Sequence, residues 1–239
     1  MESTLPIAEV PWHLDVNGSR AFSGTFTPGR ARDLAAGRLL GEGFVRQPAD
    51  LRAIDAHVLD SGAVRMQAAI EPEQESRARA ELRHRAEQGC GLRHFVACDR
   101  FLLTAAQHRA PPATTDFAGI LRELFAACDT RFPDGGVHAA ALWDGAELRH
   151  QCEDVGRHNA VDRALGAAFL AGDGPQGCGL VLSARISGQM TMVAARAGIA
   201  WIASRSVPTT LALEIAGAAG LPLIARAGRQ GHRARGAGP

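Results

Sequence analysis

Residues 179–225 read GLVLSARISGQMTMVAARAGIAWIASRSVPTTLALEIAGAAGLPLIA. The apolar runs at 179–183, 199–204 and 221–225 are strand-length and predict three strands. Between them, about 188–197 and about 208–219 carry helical patterns, with Gly198 and Gly220 placed as helix C-terminal glycines. This order predicts parallel strands joined by right-handed crossovers. Ligands of such sheets bind beyond the carboxyl ends of the strands. Those ends deliver Arg185 and Ser187, then Arg205, Ser206, Thr209 and Thr210, then Arg226, Ala227, Gly228 and Arg229. Two helix N-termini point at the same edge. Guanidinium forks beside free backbone N–H groups suit a phosphate or pyrophosphate. The expected ligand therefore bears phosphate; surface charge alone is the alternative for any single arginine.

Ahead of this region, Glu153-Asp154-Val155-Gly156-Arg157-His158-Asn159-Ala160 opens a helix carrying Val161, Leu165 and Phe169. Helix N-termini disfavour cations, so Arg157, His158 and Asn159 are expected to hold a ligand or one another, with Glu153 and Asp154 satisfying them. A strand over Val137 to Trp143 and a hairpin at Asp144-Gly145 precede it, returning along Ala146 to Cys152. His138 on that strand faces the same edge or serves structure. Phe117, Ile120, Leu121, Leu124, Phe125 and Cys128 share one face of an amphipathic helix.

The N-terminal third reads as two hairpins around a helix. Trp12, Leu14 and Val16 alternate with His13 and Asp15 before an Asn17-Gly18 turn, and Phe22 and Phe26 lie on the return strand. Thr27-Pro28 predicts a helix start with a hydroxyl cap. Ala31, Leu34, Ala35 and Leu39 keep helical spacing up to Gly41. The second hairpin spans Ile54 to Leu59 and Val64 to Ala68, turning at Ser61-Gly62. Residues 71–89 lack a clean apolar stripe and read as a linker or an exposed helix. The tail from Gly228 is Arg/Gly-rich and is expected to be disordered.

Composition excludes whole chemistries. All 26 basic residues are arginine, and neither lysine nor tyrosine occurs in the 239 residues. A Schiff-base lysine, a phosphate-loop lysine and a catalytic tyrosine are ruled out. A net charge of +1 argues against a nucleic-acid coat or general membrane attraction. No segment reaches a membrane span and no signal-peptide order opens the chain, so a cytoplasmic protein is expected. Five scattered cysteines favour reduced thiols over a disulfide framework. Cys128 and Cys178 read as small core residues, and Cys152 is ambiguous. Cys90, between Gly89 and Gly91 with Arg85, Arg93 and His94 nearby, has the surroundings that lower a thiol pKa. It is the candidate reactive thiol.

The stretch Glu153 to Ala160 resembles the signature of the FdhD family, the formate dehydrogenase accessory sulfurtransferases. Val16-Asn-Gly18, Leu34-Ala-Ala-Gly37, Gly41-Glu-Gly43, Cys90-Gly91, Gly135-Gly-Val-His-Ala139, Arg185-Ile-Ser187 and Ser204-Arg-Ser-Val-Pro-Thr209 match in order. The resemblance implies a three-layer α/β domain with a mixed sheet, cytidine-deaminase-like, behind a smaller β-rich region, usually as a homodimer. The corresponding division is 1–72 for the β-rich region with one helix, 73–112 for a linker and sulfur-carrier loop, 113–228 for the α/β domain and 229–239 for the tail. It also implies that Cys90 takes persulfide sulfur from a cysteine desulfurase and passes it to molybdenum held by two molybdopterin guanine dinucleotides, for formate dehydrogenase or a related molybdoenzyme. GDP is then a mimic of that cofactor. Ile224, Ala225, Arg226, Ala227, Gly228 and Arg229 correspond to the cofactor-binding segment, and His138, Glu153, Asp154, Arg157, His158, Arg185, Ser187, Arg205 and Thr209 join it as candidate site residues. The sequence departs from the family in having Arg93 where a second loop cysteine is usual, leaving Cys98 as a distant substitute. It also has Ala184 before Arg185 and an altered end.

A cofactor-binding chaperone without sulfur transfer is the alternative function. A zinc deaminase sharing the fold would need a ligand His with a neighbouring Glu and a Cys-x-x-Cys pair. Here His138 is followed by Ala139 and Ala140, and no two cysteines are three apart. No protein metal site is expected.

Overall fold

The structure is a computed structural model, describing residues 6–87, 108–228 and 232–234. Two mixed sheets and six helices make up these residues. The first sheet holds β1 (Val10–Val16), β2 (Ser19–Phe26), β3 (Leu51–Val58) and β4 (Val64–Ile70) in the order β2-β1-β4-β3. Both hairpins form as the sequence predicts, while β1 and β4 pair in parallel. The Asn17 side chain donates to Ile70 O and accepts the Ile70 N–H, tying the first turn to β4.

The second sheet holds β5 (His138–Trp143), β6 (Leu148–Asp154), β7 (Gly179–Leu182), β8 (Trp201–Ser204), β9 (Leu223–Ala225) and β10 (His232–Ala234), in the order β10-β9-β8-β7-β5-β6. β7, β8 and β9 are parallel neighbours, as the strand–helix alternation predicts. β10 lies in the tail expected to be disordered. It pairs antiparallel with β9, whose open edge offers unpaired backbone groups.

The helices are α1 (Ala31–Gly41), α2 (Pro72–Glu87), α3 (Phe117–Arg131), α4 (Arg157–Ala171), α5 (Gly188–Arg196) and α6 (Thr210–Ala219). Alternation along the strands separates two apolar layers. Val181, Ala203 and Ile224 pack with Leu121 and Leu124 of α3 on one face of the sheet. Leu180, Leu182, Ile202 and Leu223 join Leu165 of α4, Val193 of α5 and Ala212 of α6 on the other, and this cluster continues through Leu34 and Leu39 to Trp12 and Leu14. One apolar core thus joins the N-terminal sheet to the α/β layers.

One sequence expectation is corrected here, and one open alternative is resolved. Thr27 does not cap a helix, because α1 begins only at Ala31, after Arg30 in a left-handed conformation (φ 52°). The Thr27 hydroxyl instead accepts the Val155 N–H at 3.0 Å, and its own N–H donates to Asp154 at 3.2 Å. Of the two readings open for residues 71–89, the helix is the one that forms, over Pro72–Glu87. Arg79 donates from α2 to Glu75 and to the carbonyls of Val16, Ser19 and Arg20, and Glu81 pairs with Arg196. Polar clamps in place of an apolar stripe explain why periodicity left this helix open.

α1 and α4 touch backbone to backbone. A Cβ on Gly37 would lie 1.7 Å from Asp162 O, and one on Gly166 would lie 1.9 Å from Asp33 O. Gly37→Ala must push the two helices apart and is expected to cost about 1–3 kcal/mol. Urea unfolding reads this as a lowered midpoint; a variant as stable as the parent would refute the tight crossing.

Candidate functional site

The loops after β7, β8 and β9 are laced into one edge. Ser204 donates its hydroxyl to Ala184 O at 2.6 Å and accepts the Ser206 N–H at 3.0 Å. Arg226 N–H donates to Ser206 O, Ala227 N–H to Ser204 O, Ile186 N–H to Val207 O and Thr209 N–H to Ile186 O. Arg226 takes a left-handed conformation (φ 50°) between buried Ala225 and buried Ala227. Arg185, Arg205 and Arg226 are all exposed. Among the described residues, no carboxylate pairs with any of the three. Arg205 rests over the Phe125 ring, 5.0 Å from its centre. Ser187 and Thr209 have a local duty: each side chain caps its helix, accepting the N–H of Met190 and Ala212 respectively. Ile224 and Ala225 are buried in β9 and shape the edge through backbone. Arg229 and Cys90 lie outside the described residues.

The signature loop divides its charges differently from the sequence expectation. Glu153 and Asp154 do not satisfy Arg157 and His158. Both carboxylates end β6 facing inward, where Glu153 pairs with Arg131 and Asp154 with Arg163, each at 2.9 Å. Asp154 also accepts from Gly156 N–H, Asn159 Nδ2 and Thr27 N–H. Burial raises the Asp154 carboxyl above the usual range, while Arg163 and these donors pull it back. Arg163 closes the network by donating to the carbonyls of Glu153 and Thr27.

His158 is thereby left to the strand-end edge. His158 Nε2 lies 3.1 Å from Ser187 Oγ, which ties the start of α4 to the start of α5. Burial, then the charges of Arg157 and Arg38, push His158 down to about 4. His158 is therefore neutral near pH 7 and can accept the Ser187 hydroxyl. His138 sits opposite Asp154 in the β5–β6 register and is also lowered, by burial and then by Arg157. The Arg157 charge is a cause common to both shifts.

A histidine held below its unfolded value of about 6.5 binds fewer protons when folded, so stability is lost as pH falls from about 6.5 towards 4. His158→Asn, which keeps an acceptor for Ser187, is expected to flatten part of that limb. Urea midpoints between pH 4 and pH 7 measure it, and an unchanged slope would remove His158 as a contributor.

The described thiols are poor nucleophiles. Cys152 is buried, donates its S–H to His150 O, and is pushed up to about 12 by burial. Burial also raises Cys128 and Cys178. Sequence reading missed the polar residues inside α4. Arg163 and Asp162 are both 3% exposed, and Asp162 pairs with Arg38 at 2.9 Å while burial pushes its carboxyl up to about 7. Charged residues flanked on both sides by Ala160, Val161, Ala164 and Leu165 were the available signal.

The sequence profile of the FdhD/NarQ family matches residues 7–234. A protein of Xanthomonas campestris pv. campestris (strain B100) named sulfur carrier protein FdhD is 36% identical over 229 residues, covering 91% of this chain and 78% of the relative. A Listeria monocytogenes protein of the same name (serotype 4b, strain F2365) is 31% identical over 210 residues, covering 87% and 80%. One from Bordetella petrii is 34% identical over 216 residues, covering 87% and 76%. A crystal structure assigned to a formate dehydrogenase accessory protein from Desulfotalea psychrophila shares the fold, with TM-score 0.71 at 23% identity over 95% of this chain and 86% of that one. With the profile spanning both sheets and relatives above 30% identity across most of their length, this chain belongs to the FdhD/NarQ family.

Proposed function

We propose that this protein carries sulfur as a persulfide on Cys90, from a cysteine desulfurase to molybdenum bound by two molybdopterin guanine dinucleotides, for use by formate dehydrogenase. It does so as a cytoplasmic homodimer on a cytidine-deaminase-like framework. The carrying observation is the strand-end edge, where Arg185, Arg205 and Arg226 are exposed without carboxylate partners among the described residues. Exposed guanidiniums at the strand ends, with Arg157 and the neutral imidazole of His158 opening α4, match the pyrophosphates of a dinucleotide substrate. The naming of relatives as sulfur carriers supports the other half.

In this scheme the Cys90 thiolate attacks the outer sulfur of the desulfurase persulfide, whose own thiolate leaves. The S–S bond then breaks with its electron pair going to Cys90, which returns as thiolate. The outer sulfane sulfur becomes a sulfido ligand of the substrate's molybdenum by taking two electrons from that metal in its reduced, Mo(IV), state. The arginine edge holds the cofactor's phosphates during transfer, and His158, fixed to Ser187, orients the start of α4 beside them.

Two measurements test the proposal. Mass spectrometry after incubation with desulfurase and cysteine should place added sulfur on the Cys90 peptide; loading elsewhere overturns the assignment. Calorimetry should find that Arg185→Ala binds GDP at least about tenfold more weakly than the parent, the worth of one charged hydrogen bond. Equal affinities would remove Arg185 from the site.

A further inference from the structure

A cavity of about 610 Å³ opens at the opposite end of the second sheet from the arginine edge. Its floor lies where β7 and β8 begin, at Gly179 and Trp201; the same strands lead on to Arg185 and Arg205 at their far ends. A Cβ on Gly179 would stand 2.1 Å from the Trp201 indole, so glycine lets that ring lie across the start of β7. Phe117 meets Trp201 edge to face at 5.5 Å and holds it there. Half-buried Trp143, at the end of β5, adds a second indole to the lining. The volume is that of a small-molecule pocket.

Among the described residues, four charged side chains ring this floor, and two of them are already committed. Asp116 caps α3 by accepting the Gly119 N–H. Asp144 accepts the N–H groups of Ala146 and Glu147 and pairs with Arg149. Arg109 and Glu123 are exposed, and among the described residues no hydrogen bond or ion pair engages either side chain. They reach the cavity from different elements. Glu123 follows Asp116 and Gly119 on one stripe of α3. Arg109 stands on the segment before α3, fixed to the sheet where its backbone N–H donates to Ala200 O at 3.2 Å. A guanidinium pairs with a carboxylate, and a carboxylate accepts from an ammonium. A ligand with one charge would leave one of these two groups unmatched, whereas a zwitterion with an aromatic body answers both charges and the indoles.

We infer that this cavity binds a free amino acid with an aromatic side chain, its carboxylate on Arg109, its ammonium on Glu123 and its ring against Trp143. The site is separate from the arginine edge and does not depend on what binds there.

Calorimetry on the full chain with L-phenylalanine, phenethylamine and 3-phenylpropionate tests it, the second lacking the carboxylate and the third the amine. The parent is expected to bind phenylalanine at least about tenfold more tightly than either analogue, the worth of one charged hydrogen bond. Arg109→Gln should bring phenylalanine down to the level of phenethylamine, and Glu123→Gln down to that of 3-phenylpropionate. Both side chains are exposed, so each variant should keep the urea midpoint of the parent. Trp143→Leu should weaken all three ligands. No binding of phenylalanine, equal affinity for the three ligands, or a preference that survives both charge substitutions overturns the inference.

Discussion

Cys90→Ser is expected to abolish sulfur loading, with formate dehydrogenase activity in cells lost alongside it. Sulfur transfer needs a thiolate as acceptor, and a serine hydroxyl neither ionises usefully near neutral pH nor forms a persulfide. The remaining thiols are poor substitutes. Cys152 is pushed up to about 12, and burial raises Cys128 and Cys178. Cys98 stands beside Asp99, whose charge disfavours a thiolate, so Cys98→Ser should load nearly as well as the parent. Arg93 stands three residues after Cys90, so no neighbouring thiol at that position can expel the outer sulfur by forming a disulfide. The Cys90 persulfide should accordingly persist long enough to be isolated. Radioactive sulfur supplied as cysteine with the desulfurase reads both variants. Full activity in Cys90→Ser would transfer the role to cofactor holding alone.

Arg163→Met is expected to cost about 3–5 kcal/mol, the range for removing one partner of a buried ion pair. The side chain is 3% exposed, and it neutralises Asp154, which is wholly buried. It also donates to two carbonyls and lies 5.1 Å from the Phe26 ring centre. Methionine keeps some of the packing and none of the charge. Asp154 would retain only neutral donors, from Thr27, Gly156 and Asn159. Its folded pKa, already raised by burial, should climb further. A folded carboxyl that titrates above its unfolded value stabilises at low pH and loses that contribution as pH rises through the folded pKa. The deficit of the variant should therefore widen from pH 4 to pH 7. Adding Asp154→Asn should recover part of it. A loss below about 1 kcal/mol at pH 7 would mean that the network tolerates a bare carboxylate.

Much of the α/β half was legible because local signals agreed there. Three short apolar runs, two helical patterns and Gly220 at a helix end gave β7 to β9 and their crossovers, and topology then delivered Arg185, Arg205 and Arg226 to one edge. Partner choice was not legible. Glu153 and Asp154 sit next to Arg157 and His158 in sequence, yet strand alternation sends Glu153 to Arg131 of α3 on one face and Asp154 to Arg163 of α4 on the other. Thr27 had the form of a helix cap, but the buried network drew its hydroxyl and backbone towards Val155 and Asp154. α2 gave no clean period because, among its described residues, only Ala78 and Leu82 reach the core, while Arg79 and Glu81 hold the rest through ion pairs and carbonyls.

The glycine-mediated crossing of α1 and α4 also bears on how the chain folds. Gly37 meets Asp162, and Gly166 meets Asp33, so the contact closes a very long loop. The closure entropy must be met before the contact returns any energy, which places this docking late and makes folding slow for the chain's size. An amino-terminal fragment ending before α4 would present α1 with its apolar side uncovered, and a carboxy-terminal fragment would leave the central helix half wrapped. Neither fragment is expected to fold on its own. Ribosome-bound chains are therefore expected to leave the apolar side of α1 uncovered until residue 171 has emerged, the kind of exposure that favours aggregation.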